Sequence, residues 1–345
     1  MIARFLLRFA LLLAALAAPV QTFAGSVDEA AAGLRQLQAE DLRVARITYR
    51  LAVAGADLCL DTGPLSGILV HGASQYSPDY RPAARQVFGL GDLPGVESVV
   101  PGSAADRAGL VAGDTLLAVN GEAFERYEAA DKAADYAPVA AAKARLQAAL
   151  AKGPVTLHLK RGGEARTIRI TPDTGCASTV QLLPSDTSDA GADGRMISIT
   201  TEMVAQTHDD DELAVVIGHE MAHNALRHRQ RLDAAGVSRG LLRIFGKNAS
   251  RIKETEIEAD HLGLYLMARA GFDIQAAPRF WERYGKAHDM SFLSEPTHPR
   301  WKTRVRQLTD TIVEIRKKEQ TGQPLVPPSS LLAQGDIQDS RASGK

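Results

Sequence analysis

The 345 residues carry 40 Lys and Arg against 41 Asp and Glu, a formal net charge of −1, with 45% hydrophobic residues and two cysteines. That balance, with no basic patch interleaved with aromatics, argues against a nucleic-acid partner, and the length fits two globular units. The chain opens on MIARFLLRFALLLAALAAPVQTFAGS: Arg4 and Arg8, an apolar stretch from Phe9 to Val20, then small residues Thr22 and Ala24 before a candidate cut. Residues 1–24 therefore read as a secretory signal peptide, which makes the protein periplasmic or secreted. The alternative is a retained anchor, for which the apolar run is short, and only then would the chain touch a membrane. No cysteine lies near the cut, against lipoprotein attachment. Val27 to about Ala54 reads as one long helix with Leu34, Leu37, Leu42, Ile47 and Leu51 as core positions.

Export gives the cysteines meaning. Cys59 and Cys176 flank one contiguous segment, and a disulfide between them would tie its ends together; the alternative is two buried thiols. On the chain-entropy model such a loop is stabilised by roughly 4 to 5 kcal/mol. Inside it, VFGLGDLPGVESVVPGSAADRAGLVAGDTLLAVNGEAF alternates β-rich runs with Gly and Pro turns, GPVTLHLKRGGEARTIRITP gives two strands joined at Gly162-Gly163, and alanine-rich Tyr127 to Ala151 reads as helix. The order of these elements and the PGSAADRAGL...GD...VNG string resemble a PDZ domain. By that resemblance a glycine-rich loop offers backbone N–H groups to a peptide carboxylate while the peptide adds a strand, and the matching loop is Gly89-Leu90-Gly91-Asp92. Asp92 stands where an apolar residue is usual and would repel a C-terminus. A C-terminal peptide ligand and a purely structural or gating role are both open.

Beyond the insertion, GRMISITTEMV offers a strand at Met196, Ile197, Ser198, Ile199 and Thr200. Leu213, Ile217, Met221 and Ala225 then recur at steps of four behind the acidic run Asp209 to Glu212, which predicts a helix from Asp210 to about Arg231. On it His219 and His223 lie one above the other, so two imidazoles can reach one ion. Glu220 sits about a hundred degrees round the helix, able to touch a water held by that ion. This is the H-E-x-x-H arrangement of zinc peptidases, and it needs a third ligand. ETEIEADHLGLYLMARAGFD predicts a second helix from about Glu254 to Ala270, stopped by Gly271. Glu256 and Asp260 share one of its faces. Catalytic zinc takes three protein ligands and leaves the fourth position to water, so His219, His223 and Glu256 complete a set for one Zn2+ per chain. Asp260 would then accept a hydrogen bond from the other ring nitrogen of a ligating imidazole. Glu254 and Glu258 read as a solvated helix start, and His228, His261 and His288 as ordinary surface or core histidines.

At these residues the sequence resembles peptidase family M-48, the gluzincin peptidases of the HtpX and CAAX prenyl protease type. The resemblance runs through DDELAVVIGHEMAHNALRH, the E-x-E-A-D signature as EIEAD from Glu256 to Asp260, LGLYLMARAGFD and a later THPRWKTRV. It implies an α+β fold in which a mainly helical zincin catalytic domain with a small edge sheet carries an inserted β-rich PDZ domain. The expected organisation is a signal peptide at 1–24, the helical first part of the peptidase at 25–75, PDZ at 76–175, the catalytic domain at 176–318 and a Pro- and Ser-rich disordered tail at 319–345. The family's third zinc ligand falls on Glu256, with Glu254 as the alternative because two extra residues separate EIEAD from the preceding Ser-Arg. Glu220 becomes the general base, and Met196 to Thr200 the edge strand that holds substrate extended. His298 is a fourth zinc ligand that closes the resting site, a transition-state donor, or a cap of the next helix; Arg304 is a second candidate donor. The implied function is an exported zinc metalloendopeptidase cutting envelope or misfolded proteins. The alternative is a PDZ-based client-binding or chaperone-like protein with little hydrolysis, against which the intact Glu220 argues.

Overall fold

The computed structural model describes residues 27–128, 133–237, 246–287 and 300–329. The segment read as a signal peptide, His288 and His298 lie outside the described residues. Helix α1 (Val27–Ala54) buries Leu34, Val44, Ile47 and Leu51 along one stripe, as its periodicity predicts. Strand β1 (Thr62–Leu65) follows, then β2 (Ile68–His71), α2 (Arg81–Phe88), β3 (Gly95–Val99), α3 (Ala104–Arg107), β4 (Thr115–Val119), β5 (Glu122–Ala123), α4 (Ala137–Leu150), β6 (Val155–Arg161), β7 (Glu164–Ile170) and β8 (Asp173–Cys176). One sheet runs β2-β3-β4-β6-β7, with β5 on β4. Its inward side chains, among them Val70, Val96, Leu116, Leu157 and Leu159, pack with Leu146 and Leu150 of α4. The β6–β7 hairpin turns at Gly162 and Gly163, whose φ values of 56° and 94° are what a two-residue turn of this hand requires.

The inserted unit starts earlier than residue 76, because β3 takes β2 as its partner, Ile68 opposite Val99 and Val70 opposite Val96. A four-residue run is too short to stand out by alternation. The expected helix from Tyr127 begins only at Ala137. At the neck, β1 pairs with β8 antiparallel, Thr62 opposite Cys176, and a Cys59–Cys176 disulfide with Cα atoms 5.5 Å apart closes the two ends of the insertion.

The second half adds β9 (Thr179–Leu183), β10 (Ala190–Ala192), β11 (Met196–Thr200), α5 (Thr201–Ala205), α6 (Asp210–Ala225), α7 (His228–Ala234), α8 (Gly246–Arg269), α9 (Ala276–Ala287) and α10 (Trp301–Gln320). Its sheet is ordered β10-β11-β9. Met196–Thr200 is therefore the central strand, antiparallel to β10 and parallel to β9, and has no open edge. This corrects the expectation of an edge strand there: TVQLL, re-emerging from the insertion, covers one side and AGA the other. Asp209 caps α6 through a side-chain bond from Glu212 N at 2.8 Å. Helices α6 and α8 cross on glycines, since a Cβ on Gly263 would stand 3.2 Å from the Gly218 carbonyl carbon and from His219 N. That approach sets the metal donors opposite one another.

Two helix boundaries differ from expectation. The predicted Asp210–Arg231 helix breaks at Arg227, a non-glycine residue with φ 52°, and restarts at His228. Helix α8 begins at Gly246, so Glu254 and Glu258 sit well inside it rather than at an N-terminus. Nor is the chain structureless from residue 319: after α10, Leu325 packs on the main core and Pro327 is buried. Among the described residues no helix is long and apolar enough to cross a membrane.

Candidate metal centre

Helix α6 presents His219 and His223 one turn apart, and α8 brings Glu256 against them. The two Nε2 atoms are 3.1 Å apart, and each is 3.4 Å from an oxygen of Glu256. Around one ion with bonds of about 2.0–2.1 Å, tetrahedral ligand atoms stand about 3.3 Å from each other, so the three donors fit a single metal shell. Glu254 is exposed and takes a hydrogen bond from Ser250, whereas Glu256 is buried beside the two imidazoles. Glu220 is half-buried on the same helix, next to His219.

Asp260 stands one turn beyond Glu256 and accepts from His219 Nδ1 at 2.9 Å, as its spacing predicts. Its carboxylate also takes Arg304 Nε at 2.7 Å and Nη2 at 2.6 Å, and the guanidinium lies 3.3 Å over the Trp281 ring. Arg304 Nη2 also lies 3.1 Å from His219 Nδ1, so the guanidinium sits against both Asp260 and His219, and these contacts point it away from the role of transition-state donor. Burial raises the Asp260 pKa, but Arg304 and His219 outweigh it and hold the group below the ordinary carboxylate value. Burial and Arg304 oppose charge on His219, while Asp260 and Glu256 prevail and push it up to about 10. The site draws positive charge to that imidazole, which a proton or a metal ion can supply. Burial keeps the His223 pKa well below the ordinary imidazole value.

Two residues read as ordinary are in fact part of the centre. His228 is buried with Nδ1 2.8 Å from His223 Nδ1, and Glu258 is buried, 2.9 Å from His228 Nε2 and 2.6 Å from Arg231. Spacing places Glu258 about 160° round α8 from Glu256 and Asp260, so the helical pattern does not flag it, and nothing in the sequence shows the break at Arg227 that turns His228 inward. His261 stacks on Tyr265, with Nε2 3.4 Å from a Glu314 carboxylate oxygen.

A cleft of about 1110 Å³ elsewhere contains none of these donors. It lies between α1 and β9 on one side and the segment Leu65–Val70 with Lys143 and Gln147 of α4 on the other. Here β2 is the open edge of the inserted sheet. The loop Gly89–Asp92 instead leads into β3, which is bonded on both sides, and Leu90 is buried against Ala31 and Leu34. The expected carboxylate loop therefore has no open strand beside it.

A helical H-E-x-x-H donor set joined to a PDZ-type sheet is the class of site this fold defines. Comparison with known proteins makes it particular: residues 177–246 and 232–312 match peptidase family M48, and residues 95–139 match the PDZ domain. The chain carries an M48 metallopeptidase domain together with a PDZ domain. Mitochondrial metalloendopeptidase OMA1 of Schizosaccharomyces pombe is 33% identical over 135 residues, 32% of this chain and 40% of that protein. A protein named as a beta-barrel assembly-enhancing protease in Vibrio cholerae serotype O1 is 27% identical over 139 residues, 31% of this chain and 28% of that one. Among solved structures, the HtrA3 PDZ domain bound to a phage-derived ligand (FGRWV) aligns at 19% identity and a TM-score of 0.25, covering 33% of this chain and 89% of that one. The chain spans less than half the length of the curated relatives it matches.

Proposed function

We propose that this chain is a zinc-dependent metalloendopeptidase, exported, that hydrolyses peptide bonds of envelope or misfolded proteins. The observation that carries the reading is the convergence of His219 Nε2, His223 Nε2 and the Glu256 carboxylate on one point, with Glu220 beside them on α6. Two imidazoles and one carboxylate are a catalytic zinc set, leaving one position for water or substrate. Bound there, zinc would supply the Lewis acidity that lowers the pKa of a water and polarises a carbonyl. Glu220 takes the proton of the attacking water and returns it to the leaving amine, so no covalent intermediate is required. Asp260, backed by Arg304, fixes the ring of His219.

Substrate would add to β10 rather than to β11. The bonds Thr200 N to Asp189 O and Asp193 N to Met196 O face β11, so the alternate residues Ala190 and Ala192 turn their backbone groups to the open side. Asn224, just after His223, receives Gly194 N at 2.7 Å and ties this edge to the metal helix. A second extended peptide, including a C-terminal one, is proposed for the β2–α4 cleft, where Ser66 and Gly67 precede an open strand. Export is supported by the Cys59–Cys176 disulfide, which persists in oxidising compartments, and by the composition of residues 1–24.

Glu220→Gln keeps the side-chain shape and cannot accept the proton. It should retain one zinc per chain and lose casein hydrolysis, as chelation should in the wild type. Wild-type turnover in the variant would remove Glu220 from the general-base role.

A further inference from the structure

His219 has Asp260 behind it; the matching place behind His223 is held by a second histidine. His228 Nδ1 lies 2.8 Å from His223 Nδ1, the two rings cross at 81°, and the His228 side chain is 1% exposed. On its far side, Nε2 is 2.9 Å from Glu258 Oε2. Arg231 holds that carboxylate at 2.6 and 3.3 Å.

The protons follow by elimination. Glu258, paired with Arg231, is an acceptor, so His228 Nε2 carries the N–H. Nδ1 of the same neutral ring is then a lone pair. The 2.8 Å contact needs a donor, which must be His223 Nδ1–H. His223 Nε2 is left with its lone pair aimed at the point shared with His219 and Glu256. A His228 donating from Nδ1 would reverse this order and turn a proton of His223 toward the other donors.

The backbone is bent to make the contact. In an unbroken helix, residues five apart are separated by about 140° round the axis, so His228 would face away from His223. Arg227 adopts a left-handed conformation at φ 52°, which a side chain disfavours, and Asp61 holds it with two bonds of 2.8 Å. Leu60 N donates to Ala225 O at the same break.

We propose that Arg231, Glu258 and His228 form a relay that locks His223 in its metal-binding tautomer and ring orientation, with His228 as a positioning residue. This rests on the metal reading above and extends it to residues outside the ligand set. Arg227, by breaking the helix, is what places His228.

The test uses the full chain, metal-free, titrated with zinc against a chromophoric chelator, with melting temperatures of the metal-free proteins alongside. His228→Leu fills the buried space without an acceptor and should weaken zinc binding about ten- to a hundredfold. His228→Asn places an amide oxygen where Nδ1 stood and should recover most of that loss at a similar metal-free melting temperature. His219→Ala is the control for the site itself. Zinc binding in His228→Leu as tight as in the wild type, with His219→Ala defective, overturns the relay and leaves the metal site standing; no loss in His219→Ala would instead overturn the metal site. Should His228→Leu not fold, two-bond proton–nitrogen correlation spectra of zinc-loaded wild type, labelled at histidine nitrogens, decide. A proton on Nε2 of His228 and on Nδ1 of His223 is expected. A proton on Nδ1 of His228 overturns the proposal.

Discussion

Arg304 and Asp260 are 5% and 7% exposed and joined by bonds of 2.7 and 2.6 Å, the most buried Arg–carboxylate pair at the centre. Arg304→Met removes the guanidinium while keeping an unbranched stem over Trp281, and leaves the Asp260 carboxylate in an apolar setting with His219 as its remaining partner. Breaking a buried pair from one side costs about 3–5 kcal/mol, because the surviving charge has lost both water and partner. Asp260→Asn breaks it from the other side and should cost a similar amount. The double variant buries no orphaned charge, so its loss should fall short of the summed losses by about 2–3 kcal/mol. Urea denaturation of the metal-free chain measures this from midpoints, provided the m-value is unchanged. Losses that add to within about 0.5 kcal/mol would refute the pairing as an energetic unit. They would restore Arg304 as a group free to swing toward a developing oxyanion.

Glu256→Ala should abolish tight zinc binding, while Glu254→Ala, at an exposed position, should leave a zinc competition titration unchanged. Gly263→Ala should lower both melting temperature and zinc affinity, because its methyl group meets backbone of α6 at 3.2 Å and forces apart the helices that carry the donors; an unchanged affinity would show that the crossing can relax. Burial, helped by Asp41 and opposed by Lys143, pushes Glu97 up to about 8. Its folded pKa lies above the unfolded value, so the native state is favoured at low pH and loses stability as pH rises through the window from about 4.5 to 8. Glu97→Gln should therefore gain melting temperature relative to wild type as pH is raised from 5 to 8, and a pH-independent difference would contradict the shift.

The clustering of the candidate donors was legible because it depends on helical spacing: His219 and His223 at i, i+4 and Glu256 with Asp260 at i, i+4 stay on their faces whatever the rest of the chain does. The sheets of the second half were not, since the edge or central status of Met196–Thr200 is decided by β9 and β10, short runs whose pairing is non-local. The open β2 edge of the inserted sheet was hard to see for the same reason, its four residues lying ahead of the glycine-rich loop that drew notice. Glu258 was misjudged through its helix. With the N-terminus taken at Glu254, a carboxylate suits the macrodipole and can be solvated; with α8 starting at Gly246, the same residue is interior and needs partners. It has them in His228 and Arg231.

The neck joins these two halves more closely than the domain order suggests. A disulfide spanning a sequence separation of 117 contributes about 4 to 5 kcal/mol on the chain-entropy model, by holding the ends of the insertion together in the unfolded chain. In the folded chain the same ends serve another purpose. Two residues past Cys59, Asp61 grips Arg227, and Leu60 bonds the last turn of α6, so the neck stabilises the one left-handed residue between His223 and His228. Replacing Asp61 removes a half-exposed ion pair, which ordinarily stabilises by less than about 1 kcal/mol. Its structural consequence is larger than that figure because the pair selects a backbone conformation that L-residues avoid, and on that conformation depends which nitrogen of His223 faces the metal donors. The insertion is thus rooted at the back of the metal centre, through Asp61, Arg227 and His228 in turn.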